Sequence, residues 1–286
     1  MGKFINIDFY VDGLHASANP HVVGLPALTG IDGFVHTLER QFGFCTSSWS
    51  IAYRRFDMDG AHLRIANYEV GSNNSKSPST PSTILDKRTA SLEGVLIIEV
   101  NDDDGNIGKL VDSLIDGIEG FRFCGGTFML GNESITAWET VTDSLKAVGK
   151  CSRKPHFFME DMTHILNQAP EGLSKLDWLM DLIARPKNYD PENPQLAYEC
   201  ESLGYLTPVV KGYQLLETPR ERQNTRFDLP HAYAESVIGL ARMRSLPSVL
   251  AFVNQYQETP VIFWVNDTDD SQGNLLWDVR SISIEL

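Results

Sequence analysis

Gly24–Gln41, GLPALTGIDGFVHTLERQ, is the stretch around which the rest of the chain organises. Apolar side chains at Leu28, Ile31, Val35, Leu38 and Phe42 define one face of an α-helix. Thr29, Asp32, His36 and Arg40 lie off that stripe, the last three at i, i+4 spacing along a polar face. Gly30 and Gly33 remove side chains from the first turns, which predicts a close neighbour there, either backbone or a bound polymer. Upstream, FINIDFYVDGLHA reads as a strand and ASANPHVVGLP as an irregular connection. The result is a strand–loop–helix unit whose exposed helix N-terminus suits an anion such as phosphate.

Working outward, residues 3 to 138 read as β-α-β-β-α-β. The strands are Phe4–Val11, Trp49–Phe56, Val95–Val100 and Phe121–Leu130, the last interrupted by Gly125-Gly126. The second helix is Ile107–Glu119, with Ile107, Leu110, Val111, Leu114, Ile115 and Ile118 on one face and Gly120 as its stop. This element order is that of a ferredoxin-like or RRM-like α+β domain. Residues 139–286 form a mixed α/β extension packed on it. There Leu173–Ala184 and Ala232–Arg244 carry helical periodicity, and Pro260–Val265 and Leu276–Ile284 read as a strand pair. Between the second and third strands, Asp57–Ser91 is an insertion. It opens with AHLRIANYEV and turns into GSNNSKSPSTPST, a polar run with too little apolar surface to order alone.

The chain has 286 residues with 42% hydrophobic content, enough for one large domain or a core with a sizeable extension. No apolar run is long enough to span a membrane, and no signal-peptide pattern opens the chain. A soluble cytoplasmic protein with no membrane association is the expectation. Cys45, Cys124, Cys151 and Cys200 are scattered without a C-x-x-C, so zinc and a disulfide framework are both disfavoured. Asp102-Asp103-Asp104-Gly105 and Asp267-Thr268-Asp269-Asp270 lack the register of a calcium loop. No phosphate-binding GxxxxGK, HExxH or GxSxG occurs, so no cofactor and no metal are expected. The net charge of −14 argues against a protein coated by nucleic acid, yet the cations are segregated. Lys146, Lys150, Arg153 and Lys154 stand together without an acid, and Lys211, Arg220, Arg222 and Arg226 face only Glu217 and Glu221.

Four landmarks together resemble a known family. The first is Gly24, Leu25 and Pro26 followed by Gly33, Phe34, His36, Leu38 and Arg40, with Leu25 in place of an aromatic and Glu39 in place of Gln. The second is Tyr53-Arg54-Arg55-Phe56, and the third is Phe123-Cys124-Gly125-Gly126-Thr127. The fourth runs from Leu203 to Leu240: GYLTPVVKGY, an Arg-rich connector, then a helix ending in IGL. Their identity and order resemble the second subunit of the Csy family, the Cas-five-type RAMP component of type I-F CRISPR surveillance complexes.

The resemblance implies a ferredoxin-like RAMP palm over residues 1–138, with the insertion at about 57–91 forming a thumb, and an extension over 139–286. It implies a non-catalytic subunit that holds the 5′ handle of crRNA and helps assemble Cascade for antiviral defence. The expected partners are the Cascade backbone subunit and large subunit, with target DNA met indirectly. The insertion and C-terminal half look too short for an added PAM-reading helical domain, so the large subunit is expected as a separate chain.

RNA binding requires cations on phosphates, amides on backbone oxygens and aromatic faces under splayed bases. The candidate cations are Arg40, Arg54, Arg55, Arg64, Lys87, Arg88, Arg153, Arg220, Arg222 and Arg226. Gly24, Gly125 and Gly126 offer close backbone approach, Thr127 and His36 are motif polar groups, and Tyr53, Tyr68 and Phe128 are candidate stacking rings. Two alternatives remain open: a RAMP-type endoribonuclease processing precursor crRNA with His15 or His36 as general base, and a protein-interaction module without RNA contact.

Overall fold

The computed structural model describes residues 3–19, 22–59, 88–101, 107–184, 204–222, 229–267 and 275–286. Strand β1 (Lys3–His15) alternates in a way that sets the architecture. Ile5, Ile7, Phe9 and Val11 are fully buried on one face, while Asn6, Asp8 and the half-buried Tyr10 point to the other. Helix α1 (Leu28–Phe42) fills the range its periodicity predicts and stops at Gly43, whose N–H returns to Glu39 O. Then follow β2 (Thr46–Met58), β3 (Thr89–Val100), α2 (Ile107–Gly117), β4 (Arg122–Phe123) and β5 (Gly126–Trp138).

The long strands lie in the order β5–β1–β3–β2, each antiparallel to its neighbour. Both helices cover one face of these four strands. Leu28, Ile31, Phe34, Val35 and Leu38 from α1, and Leu114 and Ile118 at the end of α2, join the buried face of β1 in one core. Its centre is aromatic: Phe34 meets Phe123 and Phe128 at ring-centroid distances of 5.0 and 4.9 Å, and Phe9 meets Phe128 at 5.2 Å. Ile115, expected on the buried face of α2, is instead exposed. The long apolar face of α2 is wider than the strip of sheet available to it.

The chain continues with α3 (Val141–Cys151), β6 (Phe157–Asp161), α4 (Thr163–Leu166), α5 (Lys175–Ala184), β7 (Leu206–Leu215), β8 (Ala234–Ser245), α6 (Leu246–Tyr256), β9 (Phe263–Asn266) and β10 (Leu275–Ile282). Strand β6 pairs with β2, and the sheet goes on through β8, β7 and β10 to β9. The pair Trp49–Trp264 then brings β9 back to β2, so β2 belongs both to the four-stranded part and to a closed ring of strands. Among the described residues the structure is mixed α/β on one ten-stranded antiparallel sheet. Helices α3 and α6 close one end of the sheet face opposite α1, over Phe4, Ala52, Val95, Ile97 and Phe158. Among the described residues no helix is long and apolar enough to cross a membrane.

Ala232–Arg244 is not a helix. Residues 234–245 are strand β8, and the IGL expected to end a helix lies inside it. Ile238 and Leu240 face a satellite core under α4 and α5, whereas Ala241 and Met243 face the main core. A strand covered on both faces loses its polar–apolar alternation, and its apolar spacing then imitates a helix. Gly239 adds a close contact, because a Cβ there would lie 2.7 Å from Thr163 Oγ1. The helix comes immediately afterwards, as α6, with Pro247 in its first turn.

The β2–β3 ladder reaches Met58 opposite Ala90, so the described flanks of the expected thumb are paired strand. Residues 60–87, with Arg64, Tyr68 and Lys87, lie outside the described residues, as does Arg226.

Candidate functional site

On the sheet face opposite α1, the strand ends beyond α3 and α6 carry a polar group. Arg54 is only 10% exposed and sits between two carboxylates, with Nη1 2.9 Å from Asp8 Oδ1 and Nε 3.4 Å from Glu93 Oε2. Arg55 turns outward, 55% exposed, and pairs with Asp57 and with Glu93 at 3.4 Å. Its hydrogen bond to Asp57, with the nearby carboxylate charges, holds its guanidinium above its usual pKa. Lys154 arrives from the α3–β6 connection and reaches Glu93 Oε2 at 3.1 Å. Burial pushes the Glu93 carboxyl up, but the Lys154 hydrogen bond and the charges of Lys154 and Arg54 outweigh it and leave the carboxyl below its usual range. Arg153 is exposed next to Lys154. The fold thus brings the basic stretch ahead of β6 against Arg54 and Arg55 from β2, with Glu93 as the hinge. His156 is buried beside them. Desolvation and the Arg54 charge lower its pKa, and Asp8 opposes them.

A second group gathers where β1 ends. His15 N–H donates to Cys124 O at 2.9 Å, Ala16 N–H to Arg88 O at 2.8 Å, and Gly24 N–H to Ala16 O at 2.8 Å. Arg122 Nη1 donates to Gly125 O at 2.7 Å. Gly24, Arg88, Gly125, Gly126 and the exposed Thr127 therefore share one rim, although the sequence scatters them. The spaces left by the two turn glycines are filled from within. A Cβ on Gly125 would lie 2.9 Å from the His15 ring, and one on Gly126 would lie 2.6 Å from Asp12 O. Gly24 is different, with open space where its Cβ would stand.

The remaining candidates stand apart. Tyr53 and Phe128 are buried in the core, and burial raises the Tyr53 phenol well above its usual value, with Cys124 adding to it. Arg220 and Arg222 share Glu217 beyond the β7–β8 ladder, and Arg222 stacks 4.6 Å over the Tyr233 ring. Arg40 is exposed in the last turn of α1.

At Asp32 the polar face of α1 is turned inward. Asp32 is 2% exposed, and its carboxylate accepts from Trp49 Nε1 at 2.9 Å, Asn266 Nδ2 at 2.9 Å and Trp277 Nε1 at 3.0 Å. His36 extends this network: Nε2 lies 3.1 Å from Asn266 Nδ2 and Nδ1 lies 2.5 Å from Glu39 Oε2. Glu39 Oε1 accepts from Thr46 N–H at 2.7 Å. The close neighbours predicted for Gly30 and Gly33 are side chains of this chain: a Cβ on Gly30 would lie 3.0 Å from Cys124 Sγ, and one on Gly33 3.9 Å from Trp277 Cη2.

The sequence model of the CRISPR-associated protein (Cas_Csy2) family matches residues 8–276. The chain belongs to this family. The match runs from within β1 to the start of β10, and it makes the chain a CRISPR-associated subunit of the type I-F Cascade. No curated protein sequence matches the chain. In this Cas_Csy2 family member, one departure from the expected motif has a structural role, since Glu39 joins His36 to the start of β2.

Three site residues escaped the sequence reading. Asp8 stands on a buried-looking strand, Glu93 lies just ahead of the expected strand Val95–Val100 and inside the longer β3, and Tyr10 lies on the polar face of β1 opposite Glu93 and Met129. The signal for Tyr10 was present, because Ile5, Ile7, Phe9 and Val11 fix the core face and leave Tyr10 on the other.

Proposed function

We propose that the chain is the non-catalytic Cascade subunit that binds the 5′ handle of crRNA and helps assemble the complex for DNA target recognition. The observation that carries this reading is the family match over residues 8–276. The strand order β5–β1–β3–β2, with two helices on one face, supports reading residues 1–138 as a ferredoxin-like RAMP palm. Residues 139–286 act as its extension. In this reading the chain works in the cytoplasm against the Cascade backbone subunit and large subunit, and meets target DNA through them.

Two rims support RNA contact. One gathers Arg55, Lys154 and Arg153, the other Arg88, Gly24 and Thr127. Non-catalysis is supported by the histidines. Both His36 ring nitrogens are engaged, with Glu39 and with Asn266 and Asp32, whereas a general base needs one directed at substrate. The His15 ring packs over Gly125.

The test is to purify the tagged chain from its host, sequence the bound RNA, and incubate the chain alone with precursor RNA. The reading predicts guide RNAs with a common 5′ end and an uncut precursor. A cut precursor would establish the endoribonuclease, and absence of RNA would establish the interaction module.

A further inference from the structure

Beside the Arg54–Glu93 group, a cleft of about 150 Å³ opens between the face of β1 opposite α1, the end of β5 and helix α3. Asn6 and Asp8 from β1, Thr136 and Trp138 from β5, and Lys150 from α3 line it. We infer that this cleft is a base-binding pocket for a single-ring nucleobase, a pyrimidine, unstacked from RNA.

Four observations carry the inference. The first is size: a cavity of about 150 Å³ accepts a benzene-sized ring, the size of a pyrimidine. The second is its wall. Trp138 is half-buried, and its Nε1–H donates to Thr136 Oγ1 at 3.0 Å, which fixes the indole edge to the neighbouring strand position. A held indole beside a ring-sized cleft is a stacking platform that loses little freedom when a base arrives.

The third is polarity. Asp8 is 3% exposed and Asn6 2% exposed, so the two polar groups sit at the floor of a cleft whose walls are mostly apolar. Asn6 is fixed by a pair of bonds to α3, donating to Ser144 O at 2.9 Å and accepting from Ser144 Oγ at 2.6 Å. Asp8 is held by Arg54. A carboxylate has about four lone-pair sites, so a base N–H can join the guanidinium there. Gly131 leaves room for this carboxylate on the β5 side, because a Cβ at that position would collide with it. Lys150 is exposed at the mouth, placed for the phosphate of the same nucleotide.

The fourth is charge economy. The chain carries −14, and Arg54, Arg55 and Lys154 on this face are already paired to Asp8, Asp57 and Glu93. Cations engaged in this way give phosphates a smaller gain than free ones, so a strand held on this face must draw more on its bases.

This inference rests on the RNA-binding reading, and the experiment separates the two. Assembled complexes containing the wild-type chain, Trp138→Leu or Lys150→Glu are titrated with synthetic copies of the guide RNA recovered from the host complex. Each 5′ position in turn is made abasic or switched between pyrimidine and purine. The pocket predicts one pyrimidine position whose removal, or exchange for a purine, weakens wild-type binding about tenfold. The same changes have no effect in Trp138→Leu, and Lys150→Glu weakens all RNAs alike. Ultraviolet crosslinking of the wild-type complex, which needs no variant to fold, joins RNA to the peptide holding residue 138. Equal binding at every position, or a position effect unchanged in Trp138→Leu with no crosslink at residue 138, overturns the pocket and leaves RNA binding standing. Failure of the complex to retain RNA on this chain overturns both.

Discussion

The Asp32 carboxylate on α1 accepts a hydrogen bond from the Trp277 indole on β10 at 3.0 Å, across 245 residues of chain. With Trp49 and Asn266 on the same carboxylate, a helix from the beginning of the chain is tied to strands from its end. The signature around His36 thus does structural work before any ligand is considered. Replacing Asp32 with Ala leaves three donors without their acceptor, two of them on half-buried side chains and one on the fully buried Trp49. The expected cost is about 3–5 kcal/mol by chemical denaturation. A variant as stable as wild type would show that this clamp is dispensable.

Arg54 and Arg55 are adjacent in sequence and opposite in consequence. Removing Arg54 strands the buried Asp8 carboxylate, so Arg54→Ala is expected to lose about 3–5 kcal/mol of stability. Arg55 is solvent-facing, and Arg55→Ala is expected to melt close to wild type while flattening the salt dependence of RNA affinity by about one ion. Parallel melting and salt titrations of the two single variants check both statements. If Arg54→Ala is as stable as wild type, the ion pair is not what orders this face.

His156 predicts an acid-sensitive fold. Its folded pKa lies below the usual value through burial and the Arg54 charge, so the unfolded chain binds the proton first as pH falls. Stability from this group is complete above about pH 6.5 and declines below it. Acid also erodes the contribution of the depressed Glu93 carboxylate, at still lower pH, because that contribution is complete above the ordinary glutamate value and is lost as pH falls from there through the folded value. Melting curves of wild type and His156→Gln from neutral pH down to about pH 3 separate the two, since only the first decline disappears in the variant.

Much of the first half was legible because each element buries one face. The period of α1 and the alternation of β1 name their own core residues, and the observed bounds of α1 match its periodicity. The second half was harder. Strand β8 is covered on both sides, so Val237, Ile238, Leu240 and Ala241 gave a helical period without a helix. Strand β6 is only five residues long, and its place against β2 is set by tertiary pairing. At the site, cations were visible as residue types, but their carboxylate partners were not. Asp8 and Glu93 reach Arg54 only once β1, β3 and β2 are side by side.

The turn at Gly125-Gly126 offers a sharp steric test. Gly126→Ala drives a Cβ against Asp12 O and Leu14 N, both backbone atoms that have little freedom to yield. The expected loss is about 1–3 kcal/mol, read by denaturation. An alanine accepted without loss would mean that β1 and the turn stand farther apart than described.

The central claim, that this subunit holds the 5′ handle, is tested most directly by ultraviolet crosslinking of the intact Cascade followed by sequencing of the RNA attached to this chain. The account predicts that crosslinked nucleotides cluster at the 5′ end of the guide, and that the peptides carrying them come from the face of Arg55, Lys154 and Trp138 or the rim of Gly24, Arg88 and Thr127. Crosslinks spread along the whole guide, or confined to its 3′ end, would contradict it.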